Sequence, residues 1–168
     1  MMNPGIQIRA SRESDIAAIT EIYAYHVRHG AGSFEIEAPN AEEMARRRLD
    51  VVSRGLPYLV AESENVVTGY AYATLYRTRL AYRFTLEDSV YVHRDHSGRG
   101  IGAALLDGLI PACKEWGCKQ LIAVIGDSEN IASVRLHEKF GFQHCGILRG
   151  VGFKFDRWID TVLMQLSL

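Results

Sequence analysis

The stretch that most restricts the fold is Val90-Tyr91-Val92-His93-Arg94-Asp95-His96-Ser97-Gly98-Arg99-Gly100-Ile101-Gly102-Ala103-Ala104-Leu105-Leu106. Its β-branched and aromatic start reads as the end of a strand, its glycines as a turn, and the Ala/Leu run to Trp116, closed by Gly117, as a helix. Such a junction lets the backbone approach an anion closely. It turns the free N–H groups of the first helical turn, and the positive end of the helix dipole, toward that anion. The segment therefore predicts an α/β chain with a phosphate-bearing ligand. No Lys-Ser/Thr follows the glycines, so a nucleotide-triphosphate loop is excluded. Gly98-x-Gly100-x-x-Ala103 also fits a dinucleotide fingerprint, with Asp127 placed after the next strand as a ribose-binding acid. That fingerprint normally opens a series of parallel strand–helix units, which this chain lacks.

The flanking pattern is a meander. Ile6–Arg9 alternates as a strand, and Asp15–His29 carries apolar residues at helical spacing up to Gly30 and Gly32. Asn40 with Glu43 makes a helix start leading into Met44–Val52, in which Arg46, Arg47 and Arg48 read as a solvated face. Tyr58–Glu62 and Val66–Tyr76 form a hairpin about Glu64-Asn65. Phe84–Val92 is a strand with Asp88 and Glu87 on opposite faces. Lys119–Ile125 is a buried strand, Asn130–Phe140 a short helix, and Phe142–Leu148 and Trp158–Leu166 two closing strands. These elements predict a mixed, largely antiparallel sheet flanked by helices, with residues 1–168 as one domain.

Composition narrows the partners. Nineteen Lys and Arg against twenty Asp and Glu leave a formal charge of −1, which argues against a nucleic-acid footprint or attraction to anionic membrane. Apolar runs such as Leu121–Ile125 are too short to span a bilayer, and cytoplasm is the expected location. Cys113, Cys118 and Cys145 contain no CxxC pair and read as reduced, mostly buried thiols. His93-x-x-His96 and His26-x-x-His29 lack further ligands, so no metal is expected.

With its strand, Gly98-Arg99-Gly100-Ile101-Gly102 turn and Leu105-Leu106 helix, the chain resembles the GNAT superfamily of N-acetyltransferases. The resemblance implies acetyl-CoA as co-substrate, a sheet split near the donor, and a pyrophosphate held by Gly98, Arg99, Gly100, Ile101, Gly102 and Ala103. It also implies that Val90, Tyr91 and Val92 pair through their backbone with the pantetheine arm; the side chains of Val90 and Val92 equally suit the core. Ser97 stands where the family usually has Arg or Gln, weakening a side-chain contact but not the backbone cradle. Asn130-x-x-Ser133-x-x-Leu136-His137-Glu138-Lys139-Phe140-Gly141 is similar to the second coenzyme-binding segment. There Asn130 lies near the pantetheine or caps the helix, and Lys139 reaches a phosphate or only solvent.

Amide formation from a thioester needs a neutral amine and protonation of the leaving thiolate. Glu87, just before the pantetheine-pairing segment, is the candidate base; otherwise it is an ion-pair partner of Arg83. His137 occupies the place of the tyrosine that protonates the thiolate in many members, as an acid, a substrate contact or a structural residue. The loop Tyr76-Arg77-Thr78-Arg79-Leu80-Ala81-Tyr82-Arg83 can clamp a carboxylate, phosphinate or sulfone oxygen, or be a solvated loop. Ser33-Phe34-Glu35, Gly55–Glu62, Gly69–Ala73, Ala81–Glu87, Ala123–Gly126 and Val151–Lys154 are similar to the phosphinothricin and methionine sulfoximine N-acetyltransferases. That similarity implies a small amino-acid-like acceptor near Arg77, Thr78, Arg79, Leu80, Glu87, Asp88 and Ser89, Phe34 as a pocket wall or core residue, and a homodimer completing the site. A catalytically silent acyl-CoA sensor and a nicotinamide-nucleotide module are the alternatives.

Overall fold

The computed structural model describes residues 5–168. In chain order the elements are β1 (Gln7–Ala10), α1 (Ile16–His29), α2 (Ala41–Ser53), β2 (Tyr58–Ser63), β3 (Val66–Leu75), β4 (Thr85–Val92) and α3 (Ile101–Trp116). They continue with β5 (Gln120–Gly126), α4 (Ile131–Lys139), β6 (Gln143–Lys154) and β7 (Arg157–Ser167). The strands form a seven-stranded sheet in the order β1-β2-β3-β4-β5-β7-β6. All neighbours are antiparallel except β4 and β5.

Local chemistry sets the boundaries. Asn40 accepts the Glu43 N–H at 2.9 Å and opens α2. The β2–β3 turn takes both central residues, Glu64 and Asn65, into positive φ (52° and 63°), the twist a two-residue hairpin needs. β6 does not stop at Leu148 as the alternation suggested. A bulge between Leu148 and Gly152 breaks the pattern, and the strand resumes to Lys154 before a second tight turn at Phe155-Asp156.

The two sheet faces differ in side-chain size. Leu59, Ala61, Gly69, Ala71 and Ala73 face α3 and let it come close. A Cβ on Gly69 would lie 3.0 Å from Ile101, and one on Gly108 would lie 3.0 Å from Ile8. The opposite face stacks Tyr58, Tyr70, Tyr72 and Tyr91 under α1 and α2. Val60, Leu86, Leu105, Leu106, Leu109 and Leu121 are fully buried between these layers.

The arginine run is not simply a solvated face. Arg47 makes a bidentate pair with Glu35 (2.6 and 3.1 Å) and a bond to Glu43, and Arg48 donates to the Ser11 hydroxyl and carbonyl. Only Arg46 fits the solvated reading, pairing with Glu43 at the surface. Cys113 and Cys118 are buried free thiols, whereas Cys145 is exposed. Among the described residues no helix is long and apolar enough to cross a membrane.

Candidate active site

The site begins where the sheet comes apart. β4 and β5 are paired only from Thr85–Gln120 to Asp88–Ala123. Beyond that, Ser89–Val92 keeps only β3 as a neighbour and Val124–Gly126 only β7. The His93 N–H bonds back to Thr68 O at 2.8 Å, so by strand alternation the N–H and C=O groups of Val90 and Val92 face the opening. The carbonyl of Val92 accepts from His26 Nε2 at 2.8 Å, which fixes the hydrogen on that ring nitrogen.

A cleft of about 520 Å³ occupies the opening. Ser89, Val90, Tyr91 and Val92 form one wall and Val124, Ile125 and Gly126 the other. Gly98, Gly100, Ile101, Gly102 and Ala103 close one end, and Asn130, His137 and Lys139 of the α4 segment the side. Arg99 is exposed in the turn and does not line the cleft.

Glycine is required here for conformation. Gly98 and Gly100 have φ of 76° and 83°, and a Cβ on either would meet no protein atom within 4 Å. The space in front of them is thus a cradle bounded by backbone. The first bond of α3 runs from the Ala104 N–H to Gly100 O at 3.0 Å, which leaves the N–H groups of Ile101, Gly102 and Ala103 for an anion. These features fit the diphosphate and pantetheine of a coenzyme A thioester, the open β4 edge supplying the strand-like partner. Asp127 does not fit a ribose contact: it accepts from Arg157 at 2.6 Å and from the Glu129 N–H at 3.1 Å, and so pins its own turn. Asn130 caps α4 through the Ser133 N–H at 3.3 Å, and Lys139 is exposed.

Consecutive carboxylates on β4 enter different environments. Glu87 lies on the tyrosine face, opposite Thr74 of β3 and Ile122 of β5. It is half-buried and makes no ion pair with any described residue. Arg83, its candidate partner, instead sits 4.6 Å over the Phe84 ring and donates to Leu80 O. Burial raises the pKa of Glu87, the neighbouring Asp88 charge adds to the rise, and Arg77 opposes both.

Asp88 faces the other way and is buried with His137. Their Oδ2 and Nε2 are 2.9 Å apart, and His137 Nδ1 is 2.7 Å from the Ser133 carbonyl. The carbonyl can only accept, so Nδ1 carries a hydrogen, and one further proton is shared between Nε2 and the carboxylate. Burial alone would lower the histidine pKa, but the hydrogen bond and charge of Asp88 and the Ser133 carbonyl outweigh it, and the net shift is upward. Asp88 Oδ1 has no partner among the described residues.

Behind the Val124–Gly126 wall stand side chains that do not themselves line the cleft. Phe34 is wedged between Gly126 and Gly152; a Cβ on Gly152 would overlap its ring, and one on Gly126 would overlap the Ala31 carbonyl. Lys154 ties this loop down, its Nζ donating to Gly30 O at 2.8 Å and Ser33 O at 2.7 Å. The exposed segment Arg77-Thr78-Arg79-Leu80 does not reach the cleft within one chain. At the β6–β7 hairpin, Val151, Phe153, Phe155 and Trp158 leave a run of apolar side chains exposed, while Leu80 and Phe84 are exposed at the opposite end of the sheet. Sequence reasoning weighed His26 only as a metal ligand, not as the partner of Val92, and did not foresee the Asp88–His137 pairing; residues 49 apart carry no local signal of contact.

Comparison with known proteins places this geometry. The acetyltransferase (GNAT) domain family matches residues 8–163. A phosphinothricin N-acetyltransferase of Alcaligenes faecalis is 55% identical over 161 residues, covering 96% of this chain and 82% of that protein. An L-methionine sulfoximine/L-methionine sulfone acetyltransferase of Salmonella typhimurium is 40% identical over 166 residues, covering 96% of this chain and 94% of the relative. Among solved structures, an acetyltransferase from Salmonella typhimurium with its cofactor acetyl-CoA superposes with a TM-score of 0.95 at 39% identity, covering 97% of this chain and 94% of that one. A Sinorhizobium meliloti phosphinothricin acetyltransferase in complex with acetyl-CoA gives 0.94 at 41% identity, covering 98% and 89%. The open strand edge, the glycine cradle and this similarity agree, and the chain belongs to the GNAT family of acetyl-CoA-dependent N-acetyltransferases.

Proposed function

We propose that this enzyme acetylates the α-amine of a small amino-acid-like acceptor carrying a strongly polar oxygen group, such as phosphinothricin, methionine sulfoximine or methionine sulfone. Glu87 is the general base. The observation that carries the reading is the placement of a half-buried carboxylate, without an ion-pair partner among the described residues, two residues before the open edge of β4. Burial holds its pKa upward, toward the range in which a carboxylate exchanges protons with an amine. The names of the relatives support the acceptor class.

Val90 and Val92 align the donor along the β4 edge and the glycine cradle holds its diphosphate, which leaves the thioester near the end of the β4–β5 pairing. Glu87 takes a proton from the acceptor ammonium, directly or through one water, and the freed amine attacks the thioester carbonyl. As the C–S bond breaks, the thiolate takes the proton held by the Asp88–His137 pair, which lines the cleft, and the second proton shed by the acylated nitrogen restores that pair. Phe34 walls the acceptor pocket. Arg77, Thr78, Arg79 and Leu80 supply the oxygen-binding face in a homodimer, whose contact is the apolar run around Phe153 and Trp158. The free thiols fit a cytoplasmic setting.

The test is thiol release from acetyl-CoA with a panel of amines, for wild type and Glu87→Gln. Selective release with the sulfoximine, sulfone and phosphinate acceptors, reduced about 10²- to 10⁴-fold by the substitution while acetyl-CoA binding is kept, is the expected result. Tight acetyl-CoA binding with no release for any amine would turn the reading into a silent acyl-CoA sensor.

A further inference from the structure

The sheet opens without a defect in the strands that open. β4 pairs with β3 in unbroken register from Leu86 to Val92, and β5 pairs with β7 in the same way from Gln120 to Gly126. Continued from Asp88–Ala123, the parallel register would set Ser89, Val90 and Tyr91 against Val124, Ile125 and Gly126. Only at Asp127 does β5 leave its path, with φ of 74° and its N–H on Asp160 O at 2.9 Å. Two neighbouring strand edges with free N–H and C=O groups pair with each other unless something stands between them.

The end of α1 and the loop after it touch both arms of the opening. On β4, His26 Nε2 donates to the Val92 carbonyl at 2.8 Å, and its ring lies 5.5 Å from that of Tyr91. Tyr23, about one turn earlier, packs at 79° to the same Tyr91 ring with centroids 5.1 Å apart. On β5, the Ala31 carbonyl and the Phe34 ring press on Gly126, which has no room for a Cβ. This unit is anchored from behind. Ile19, Ile22 and Val27 are buried in the core, and Lys154 donates to Gly30 O at 2.8 Å and to Ser33 O at 2.7 Å. His26 itself lines the donor cleft.

We infer that His26 is a positioning residue for the donor: with the loop after α1 it forms a wedge that holds the β4 edge open for the pantetheine arm of acetyl-CoA. This rests on the reading in which Val90 and Val92 align the donor. The histidine satisfies the carbonyl at the tip of the edge, an acceptor that is otherwise left without a partner or drawn toward β5. The Val90 N–H and C=O and the Val92 N–H stay available to the ligand. A strand edge already open and fixed in place loses less freedom when the donor binds, so donor affinity is the quantity that the wedge controls. The ring takes no part in the proton transfers and does not contact the reacting atoms.

His26→Phe keeps a ring against Tyr91 and removes the N–H; His26→Gln keeps an N–H donor of similar reach; His26→Ala empties the wedge. Acetyl-CoA binding is measured by calorimetry, with steady-state kinetics and unfolding midpoints alongside. Binding should weaken about tenfold in His26→Phe and His26→Ala, the equivalent of about 1.4 kcal/mol, and return to near wild type in His26→Gln. The KM for acetyl-CoA should rise in step, while kcat at saturating substrates and the acceptor KM stay near wild type. In donor-free His26→Ala the Val90 and Val92 amides should exchange with heavy water more slowly than in wild type, because the two edges pair. Wild-type affinity in a folded His26→Phe, or in His26→Ala should the first variant not fold, would overturn the inference. Tighter binding would overturn it too, since the histidine would then compete with the donor for the Val92 carbonyl. Val92→Pro separates the two readings, because it removes an N–H that the β3 ladder does not use. If Val92→Pro binds acetyl-CoA as wild type does, the donor does not pair along this edge and the wedge fails with that reading. If it weakens binding while the His26 variants behave as wild type, the wedge alone fails.

Discussion

The two sides of the cleft are made of different material. The donor side is backbone: an unpaired strand edge at Val90–Val92, two glycines at positive φ, and the first N–H groups of α3. The side proposed for the acceptor is side chains: Phe34 pressed between Gly126 and Gly152, the lysine tie from β6, and a loop of arginines facing outward. A backbone site is complete once its elements are formed, and one chain suffices. A side-chain site can be retuned residue by residue, and here the arginine loop faces away from its own cleft. The donor can thus stay constant while the acceptor varies.

The comparison breaks most sharply at Gly126. Its Cβ would run into the Ala31 backbone, which cannot swing aside as a flexible side chain can. Gly126→Val should therefore cost about 3 kcal/mol or more in urea denaturation, the upper range for overpacking. Gly152→Ala meets only the Phe34 ring and should cost less in stability than in acceptor KM. If Gly126→Val unfolds at the wild-type midpoint, the loop after α1 is not anchored on β5 and the acceptor wall is not rigid. Next in size is the outward face: Phe153→Ser with Trp158→Ser should remove about 2 kcal/mol per anchor from self-association, read by sedimentation across concentrations. Acetyl-CoA affinity should not change. A dimer of undiminished strength would place the partner elsewhere.

Gly100→Ala attacks the donor side alone. The new Cβ meets no protein atom, so folding loses only the left-handed penalty, about 1–2 kcal/mol. The same methyl fills the cradle, and acetyl-CoA binding by calorimetry should weaken about tenfold or more, the equivalent of about 1.4 kcal/mol. Unchanged affinity would mean that the diphosphate is held by side chains and not by this turn.

The same contrast explains which parts of the molecule could be read before the fold was known. Backbone devices leave compact marks: Gly98-x-Gly100 before an Ala/Leu helix, Asn40 three residues before Glu43, and Glu64-Asn65 between two alternating runs each name their own structure. Side-chain devices close over long separations and leave none. Arg47 meets Glu35 across a loop, Lys154 meets Gly30 from more than a hundred residues away, and His137 meets Asp88 from another element. The bulge that carries β6 past Leu148 was hidden for a related reason. Asp160 on β7 accepts the Gly150 N–H at 2.8 Å, so the interruption is held by a residue outside the strand it interrupts.

The smallest predicted effect separates Glu87 from His137 by pH. Both Glu87 and His137 have raised pKa values in the folded chain, so the folded state holds each proton more tightly than the unfolded state does. Each contribution to stability is complete below the unfolded value, 4.5 for the glutamate and 6.5 for the histidine, and is lost as pH rises through the folded value. Stability should therefore decline in two steps, the acidic one belonging to Glu87 and the near-neutral one to His137. Urea midpoints measured across pH should lose the first step in Glu87→Gln and the second in Asp88→Asn, because without the Asp88 charge burial drives the imidazole pKa down. If Asp88→Asn kept the near-neutral step, the histidine would hold its proton through the Ser133 carbonyl alone. The Asp88–His137 pair would then have no special hold on that proton.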